Sequence, residues 1–524
     1  MSISQRKRRP NRQNAQPAKN KKRTSDAAGL ARMRVGGAVP PLYFRPLGPD
    51  YLVTNDAGNY AFLSHAAFRD VIAGRVSPES PQYHELVRKG FVDNGWATTI
   101  LEQGFSARNS HLLLGPSLHI LILTLRCNQQ CGYCQASRRP MSDGSVDMSQ
   151  KTARRILDMV FQSPAPALTI EFQGGEPLAN FAVLRAVVLD AERRNETARR
   201  TLYFSVVTNL TLMDEDKLSF LLDHDVTICT SLDGPKDLHD ANRPWTDGSS
   251  YDHAVTWIER IREAYRTRGF LDDDYQFNAL LTVTRKTLSM PDAVVDEYVR
   301  RGFKVIHLRP LQPFGLADRM WEQQGYSDED FLDFYQAAFR AILARNQQGI
   351  EIQEKTASLF LTKILTTYDP NYMDLRSPCG AAIGQLAYNY DGSIYPCDEG
   401  RMVAAMGDQA FRLGSVFEDS YERIIHHDTV RAMATASCLE TIPGCAHCAY
   451  KPYCGVCPVL SYVSQGDIFA RQPTSSRCRT QTGIQDLLFA TLKAADHKTI
   501  EELKRWTEQR EPIASARHSD RVEP

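Results

Sequence analysis

Residues 118–134 read Leu-His-Ile-Leu-Ile-Leu-Thr-Leu-Arg-Cys-Asn-Gln-Gln-Cys-Gly-Tyr-Cys, and this stretch decides the fold. Its first half is a continuous apolar run with β-branched residues, too short to cross a membrane, and it reads as a buried strand of a parallel sheet. The strand runs straight into Cys127, Cys131 and Cys134, three thiols within one eight-residue loop. In α/β folds the loops at the C-terminal ends of strands carry the chemistry. Three clustered thiolates can hold three irons of a cubane 4Fe-4S cluster and leave the fourth iron open to an outside ligand. As with zinc, an open position marks chemistry and a closed one marks structure. Spacing alone leaves two other readings open: a zinc site with a distant fourth ligand, or a redox pair at Cys131 and Cys134.

Downstream of this stretch, strand-like and helix-like runs alternate. Ala153, Ile156, Leu157 and Val160 recur at helical spacing; Leu168–Phe172 is strand-like and ends in Gly174-Gly175-Glu176-Pro177. A helix from Phe181, a strand at Leu202–Val207, a helix from Asp214 and a strand at Val226–Ser231 follow. The next helix carries Ala254, Trp257, Ile258, Ile261 and Tyr265 on one face. Strands at Phe277–Val283 and Lys304–Leu308 flank a helix opened by Pro291 and closed by Gly302. Six strand-then-helix units predict an α/β fold, a partial (βα)6 barrel open on one side. The glycine pair at 174–175 suits a backbone that approaches a ligand closely. Cys229 lies within an apolar strand and reads as a small core residue.

The remaining cysteines lie between Cys379 and Cys478: Cys379, Cys397, Cys438, Cys445, Cys448, Cys454, Cys457 and Cys478. The run from Cys445 to Cys457 alone also fits a zinc knuckle with four thiolates. Twelve cysteines in 524 residues are too sparse for a secreted disulfide framework and too clustered for chance, which argues for metal in a reducing compartment.

The three-cysteine loop, with Tyr133 before the last thiol, resembles the signature of the radical S-adenosylmethionine (SAM) enzymes. The resemblance implies that the vacant iron binds SAM through its amino and carboxylate groups, and that an electron from the cluster yields a 5'-deoxyadenosyl radical. It assigns cofactor contacts to Tyr133, to Gly175 and Glu176 beside the amino group, to Ser231 and Asp233 on the ribose and carboxylate side, and to Arg243, whose fork suits a carboxylate. The second field resembles the SPASM extension, which holds two auxiliary 4Fe-4S clusters and so makes three clusters in all. The implied ligands are Cys379, Cys397 and Cys457 for the first auxiliary cluster, and Cys445, Cys448, Cys454 and Cys478 for the second. Cys438 is extra, a candidate fourth ligand for the first. Only Gly455 and Val456 separate Cys454 from Cys457, where the common pattern has three residues. Asp398, directly after Cys397, matches the proton acceptor of the sulfatase-activating branch. The opening Tyr43-Phe44-Arg45-Pro46-Leu47-Gly48, the Leu-Arg-Pro-Leu run at 308–311 and Cys454-Gly455-Val456-Cys457-Pro458 look most like the B-type maturases of the His-Xaa-Ser peptide system. That branch implies a ribosomally made substrate with His-Xaa-Ser repeats, a second radical SAM maturase as a possible partner, and a reductant such as flavodoxin or ferredoxin. The rival readings are a formylglycine-forming sulfatase maturase and a non-catalytic iron-sulfur electron carrier or assembly partner.

At this length two to four domains are expected, and the contents of 42% hydrophobic and 24% charged residues are those of a soluble globular protein. The expected units are a basic disordered tail (1–42), a peptide-recognition-like module (43–108), a radical SAM core (109–350), a SPASM domain (351–485) and a C-terminal helix and tail (486–524). The tail is polar and strongly basic: residues 1–35 hold eleven Lys or Arg and one acid, Asp26, so the rest of this neutral chain is acidic. Phosphate binding needs basic surface, which weighs against an RNA substrate. The module pairs Tyr51–Thr54 with Tyr60–Leu63 around a turn and adds two short helices, around 67–72 and 83–87, a winged-helix-like composition. It also resembles the domain that captures a leader peptide as an added strand. No apolar run approaches a membrane span and the start lacks a signal core, so a cytoplasmic protein is expected.

Overall fold

The structure, a computed structural model, describes residues 39–269 and 277–508. The basic tail up to position 38 and the last residues beyond 508 lie outside the described residues.

The chain opens with an antiparallel meander, β1 (Tyr43–Leu47), β2 (Asp50–Thr54) and β3 (Tyr60–Leu63), in the order β1-β2-β3. The expected hairpin is its second and third strands. β1 escapes a sequence reading because it contains Pro46, which only an edge strand tolerates. Helices His65–Ile72, Tyr83–Arg88 and Ala97–Asn109 follow. Gly104 and the β-branched start of the third mask it in the sequence. That glycine is there because a Cβ would stand 2.8 Å from the Ala57 Cα.

Six strands then build the half-barrel: β4 (Leu118–Thr124), β5 (Ala167–Gly174), β6 (Thr201–Thr208), β7 (Val226–Ser231), β8 (Phe277–Val283) and, after the two-residue β9 (Val305–Ile306), β10 (Leu308–Pro310). Each pairs in parallel with its neighbour, in chain order from β4 to β8 and then β10. The expected strand at 304–308 is broken at His307, where the Arg309 N–H turns back to the His307 carbonyl, and Pro310 ends it. Successive residues alternate between faces. Leu168, Ile170 and Phe172 of β5, Ile228 of β7 and Leu308 of β10 join the core beneath the helices. Glu171, Cys229 and Arg309 therefore face the lumen. Cys229 is buried, as expected of a small core residue, though its side chain faces the lumen and it belongs to none of the apolar clusters among the described residues.

The C-terminal part completes this sheet. β11 (Gln353–Glu354) pairs with β9. β12 (Gln385–Tyr388) adds in parallel to β4, and β13 (Ser393–Tyr395) and β14 (Gly414–Ser415) extend it antiparallel, giving a nine-stranded sheet with β10 at one end and β14 at the other. β4, which would be the exposed first strand of a half-barrel, is buried between β5 and β12.

The N-terminal meander sits on the second cysteine field. Thr54 Oγ1 donates to the Ala449 carbonyl (2.7 Å) and Tyr453 O–H to the Gly58 carbonyl (3.0 Å). Lys451 pairs with Asp56 at 2.8 Å and Arg45 with Asp486 at 2.7 Å. Arg108, buried, donates to the carbonyls of Ala57, Lys363 and Thr366.

Candidate iron-sulfur and cofactor site

The first cysteine loop leaves β4 at the mouth of the barrel and is held by backbone bonds at both ends. Cys127 N–H donates to the Arg139 carbonyl (3.0 Å), Gln130 N–H to Pro244 (2.8 Å), and the Cys134 carbonyl accepts from Leu316 N–H (2.9 Å). Arg126 locks the entry: its fork takes Asp147 at 2.7 and 2.6 Å and reaches the Ala179 carbonyl at 3.0 Å. Neither Arg126 nor Asp147 stands out in the sequence, because nothing local marks a pair formed across twenty residues. Asn209, at the end of β6, turns its amide to Cys127 Sγ (3.8 Å) and Asn128 Oδ1 (3.3 Å).

The three thiols converge on one another: Cys127 feels both Cys131 and Cys134, and Cys131 feels Cys134. Burial pushes the thiols of Cys127 and Cys131 up to about 12. A bound metal supplies the positive charge that makes such thiols thiolates.

The Gly174-Gly175-Glu176-Pro177 turn lies directly against this loop, and here the structure corrects the sequence reading. The close approach that needs glycine is backbone to backbone. A Cβ on Gly175 would stand 2.3 Å from the Arg126 carbonyl oxygen and 2.5 Å from that of Leu125. The Glu176 carboxylate is held by protein, accepting from Leu178 N–H (3.0 Å), Thr208 Oγ1 (2.7 Å) and Asn209 N–H (2.8 Å). Burial pushes it up to about 7. The glutamate ties β5 to β6. Gly175→Ala is accordingly expected to displace the loop, because carbonyls cannot rotate out of the way as side chains can. Iron bound at the first loop should fall sharply while iron on the second field stays, measured by iron content and by electron paramagnetic resonance of the reduced protein.

Tyr133, Asp233 and Arg243 form one buried network. Tyr133 O–H donates to Asp233 Oδ2 at 2.6 Å, Arg243 Nε donates to the same oxygen at 3.0 Å, and the guanidinium lies 5.3 Å from the Tyr133 ring centroid. Burial raises the Tyr133 hydroxyl well above its ordinary value despite the nearby guanidinium, with the Asp233 charge adding to the rise. The fork of Arg243 is therefore spent on Asp233 rather than presented free to a ligand. Ser231 faces the lumen one strand residue beyond the fully buried Thr230.

In the second field, Cys379, Cys397 and Cys457 are buried in one cluster with Phe314, Met402 and Phe411. Cys397 and Cys457 each head a helix, and each sulfur accepts a backbone N–H of the first turn at 3.4 Å, from Gly400 and Leu460. Such bonds favour sulfur that carries negative charge. Cys445 feels Cys448, Cys454 and Cys478, a second group of four. Cys438 joins neither; its thiol meets Glu440 Oε2 at 3.2 Å. Among the described residues, no three His, Cys, Asp or Glu side chains converge tightly enough for a single metal ion. Four thiolates on one zinc would need sulfurs about 3.8 Å apart, as its bond length of about 2.3 Å dictates, whereas a cubane spreads them over separate irons. Asp398, the first residue of its helix, is half-buried and within electrostatic reach of Glu171 across the lumen.

Residues 121–271 match the radical SAM superfamily, and residues 379–458 match the SPASM iron-sulfur cluster-binding domain. The chain is a radical SAM enzyme with a SPASM domain. The radical SAM domain binds SAM and a 4Fe-4S cluster, and the SPASM domain binds further iron-sulfur clusters; three groups of mutually close, buried or half-buried thiols fit that cargo. This radical SAM chain is 26% identical to a cysteine-type anaerobic sulfatase-maturating enzyme of Clostridium perfringens, over 54% of its own length and 75% of the relative's. It is 25% identical to a serine-type enzyme of Klebsiella aerogenes, over 65% and 79%. By fold it resembles native anSMEcpe with bound AdoMet (TM-score 0.59, 19% identity, 74% of this chain and 99% of that one). It also resembles Streptococcus suis SuiB bound to precursor peptide SuiA (TM-score 0.51, 14% identity, 84% and 100%). No helix among the described residues is long and apolar enough to cross a membrane.

Proposed function

We propose that this radical SAM enzyme is a peptide maturase that removes a hydrogen atom from a residue of a ribosomally made substrate carrying His-Xaa-Ser repeats. The observation that carries the reading is the gathering of Cys127, Cys131 and Cys134 at the mouth of a parallel half-barrel whose lumen is polar. When bound, the first cluster and SAM supply a 5'-deoxyadenosyl radical. The chain's own residues do the rest. Cys127, Cys131 and Cys134 hold the cluster, and the backbone of Gly174 and Gly175 lies beside the nucleotide. Tyr133, Asp233 and Arg243 stiffen the wall of its pocket, and Ser231 faces the ribose side. Cys379, Cys397 and Cys457 hold one auxiliary cluster, and Cys445, Cys448, Cys454 and Cys478 the other. Asp398 would take the proton that a substrate radical loses when an auxiliary cluster, if bound, accepts its electron. The N-terminal meander offers β1 as an edge to which an extended leader can add. Flavodoxin or ferredoxin supplies the electron, and a second radical SAM maturase shares the substrate.

Sulfatase maturation is the second reading, supported by the relatives named above and by Asp398 beside Cys397. The anaerobically reconstituted enzyme is to be incubated with SAM, reductant and either a His-Xaa-Ser repeat peptide or a sulfatase-motif peptide, with products weighed by mass spectrometry. A mass change confined to the repeat peptide is expected. Formylglycine on the sulfatase peptide would transfer the assignment to the second reading.

A further inference from the structure

The short spacing inside the second cysteine field brings both of its thiol groups to one side chain. Cys454 and Cys457 fall in different groups, yet only Gly455 and Val456 separate them, so their Cα atoms stand at most about 11 Å apart. This link lies flat on the chain that leads to Cys379: a Cβ on Gly455 would stand 2.4 Å from the Asp374 carbonyl oxygen and 2.8 Å from the Arg376 nitrogen. Into the same seam the helix Ser476–Ala494 sends Arg477, the chain neighbour of Cys478. Arg477 Nε donates to the Gly455 carbonyl (3.2 Å) and Nη2 to the Asp374 carbonyl. One turn further along the helix, Gln481 is buried on the same face. Its amide oxygen accepts from Arg477 Nε (3.1 Å) and Nη2 (2.9 Å). Its nitrogen is thereby turned to the Gly455 carbonyl (3.2 Å) and to Cys454 Sγ (2.9 Å).

All of these acceptors of Arg477 are neutral oxygens, so its charge is not cancelled at contact. The acid it feels most, Asp374, offers it a carbonyl rather than the carboxylate. Burial pushes the thiols of Cys379, Cys454 and Cys457 up, and Arg477 draws all three back down. Reducing a cluster adds one negative charge. A fixed cation nearby, or a donor aimed at a ligating sulfur, therefore favours the reduced form and raises the potential. A cation in the seam between two clusters acts on both, whereas a donor to one sulfur acts on one.

On the grouping of the sulfurs given above, on which the inference rests, we infer that Arg477, held by Gln481, is a positioning residue that raises the reduction potentials of both auxiliary clusters, and that the Gln481 amide adds to the second alone. Both clusters become better electron acceptors.

The full-length, anaerobically reconstituted enzyme is to be titrated reductively under electron paramagnetic resonance without SAM or peptide, so that the readout is independent of turnover. The triple alanine variant of Cys127, Cys131 and Cys134 marks which signals are auxiliary. Arg477→Met is expected to make both auxiliary clusters about tenfold or more harder to reduce at a fixed potential, a fall of about 59 mV for a one-electron couple, with iron content unchanged. Arg477→Lys keeps the charge without the fork and should keep most of both potentials. Gln481→Leu should lower one of the two. Unmoved potentials in Arg477→Met, a shift of only one cluster there, or an equal fall in Arg477→Lys overturns the role. Should Arg477→Met lose iron, near-native potentials in Arg477→Lys together with one lowered potential in Gln481→Leu support the role, and any other pattern overturns it. A native enzyme that takes up a single auxiliary cluster overturns the grouping of the sulfurs and the shared role with it, whereas two clusters with unmoved potentials overturn the role alone.

Discussion

Replacing Cys127, Cys131 and Cys134 together by alanine is expected to abolish formation of 5'-deoxyadenosine from SAM. The three thiols form one convergent group at the barrel mouth, and no other cysteine among the described residues joins that group. The auxiliary groups are built from other segments, Cys397 and Cys457 at helix starts and Cys445 to Cys454 in a compact knuckle. The variant should therefore fold, lose about four irons per chain, the content of one cubane, and keep the rest. Anaerobic reconstitution, iron analysis and chromatographic assay of deoxyadenosine check this directly. Turnover that survives in the triple variant would sink the account of the site.

Arg243→Ala is expected to be the most destabilising single change near the cofactor. Asp233 has no exposed side-chain surface, and Arg243 is its charge partner. Removing one member of a buried pair leaves an uncompensated charge, which costs about 3–5 kcal/mol. Tyr133→Phe removes one hydrogen bond to the same carboxylate and should cost less, about 1.5–3 kcal/mol. Lysine at 243 should recover only part of the loss, since it lacks the fork that spans both carboxylate oxygens. Urea unfolding of the three variants tests the ranking. A loss below about 1 kcal/mol for Arg243→Ala would mean that water replaces the guanidinium, against the burial seen here.

The sequence is most informative where chemistry needs fixed spacing. Cys127, Cys131 and Cys134 are legible because a loop of eight residues has to present three thiols to one object. The alternation of strand and helix from Leu118 to Leu308 shows because each strand is an apolar run that ends in a polar turn. Glu176 illustrates the limit. Its position after the second strand is readable, but that its carboxylate is bound by Leu178, Thr208 and Asn209 depends on how β5 and β6 end side by side. The addition of β12 to β4 joins segments more than 260 residues apart, and no local periodicity records such a pairing.

The seat of the N-terminal meander has a consequence for biosynthesis. Thr54 and Gly58 find their partners 395 residues later in the chain, and Arg45 finds Asp486 after 441. Synthesis runs from the N-terminus at about 5–20 residues per second, so this small sheet leaves the ribosome well before the surface it rests on exists. It then waits, its aromatic face uncovered, for tens of seconds. In this protein the first sheet of the described chain is among the last to be fastened, and a chain cut short before residue 449 leaves it with no place to dock.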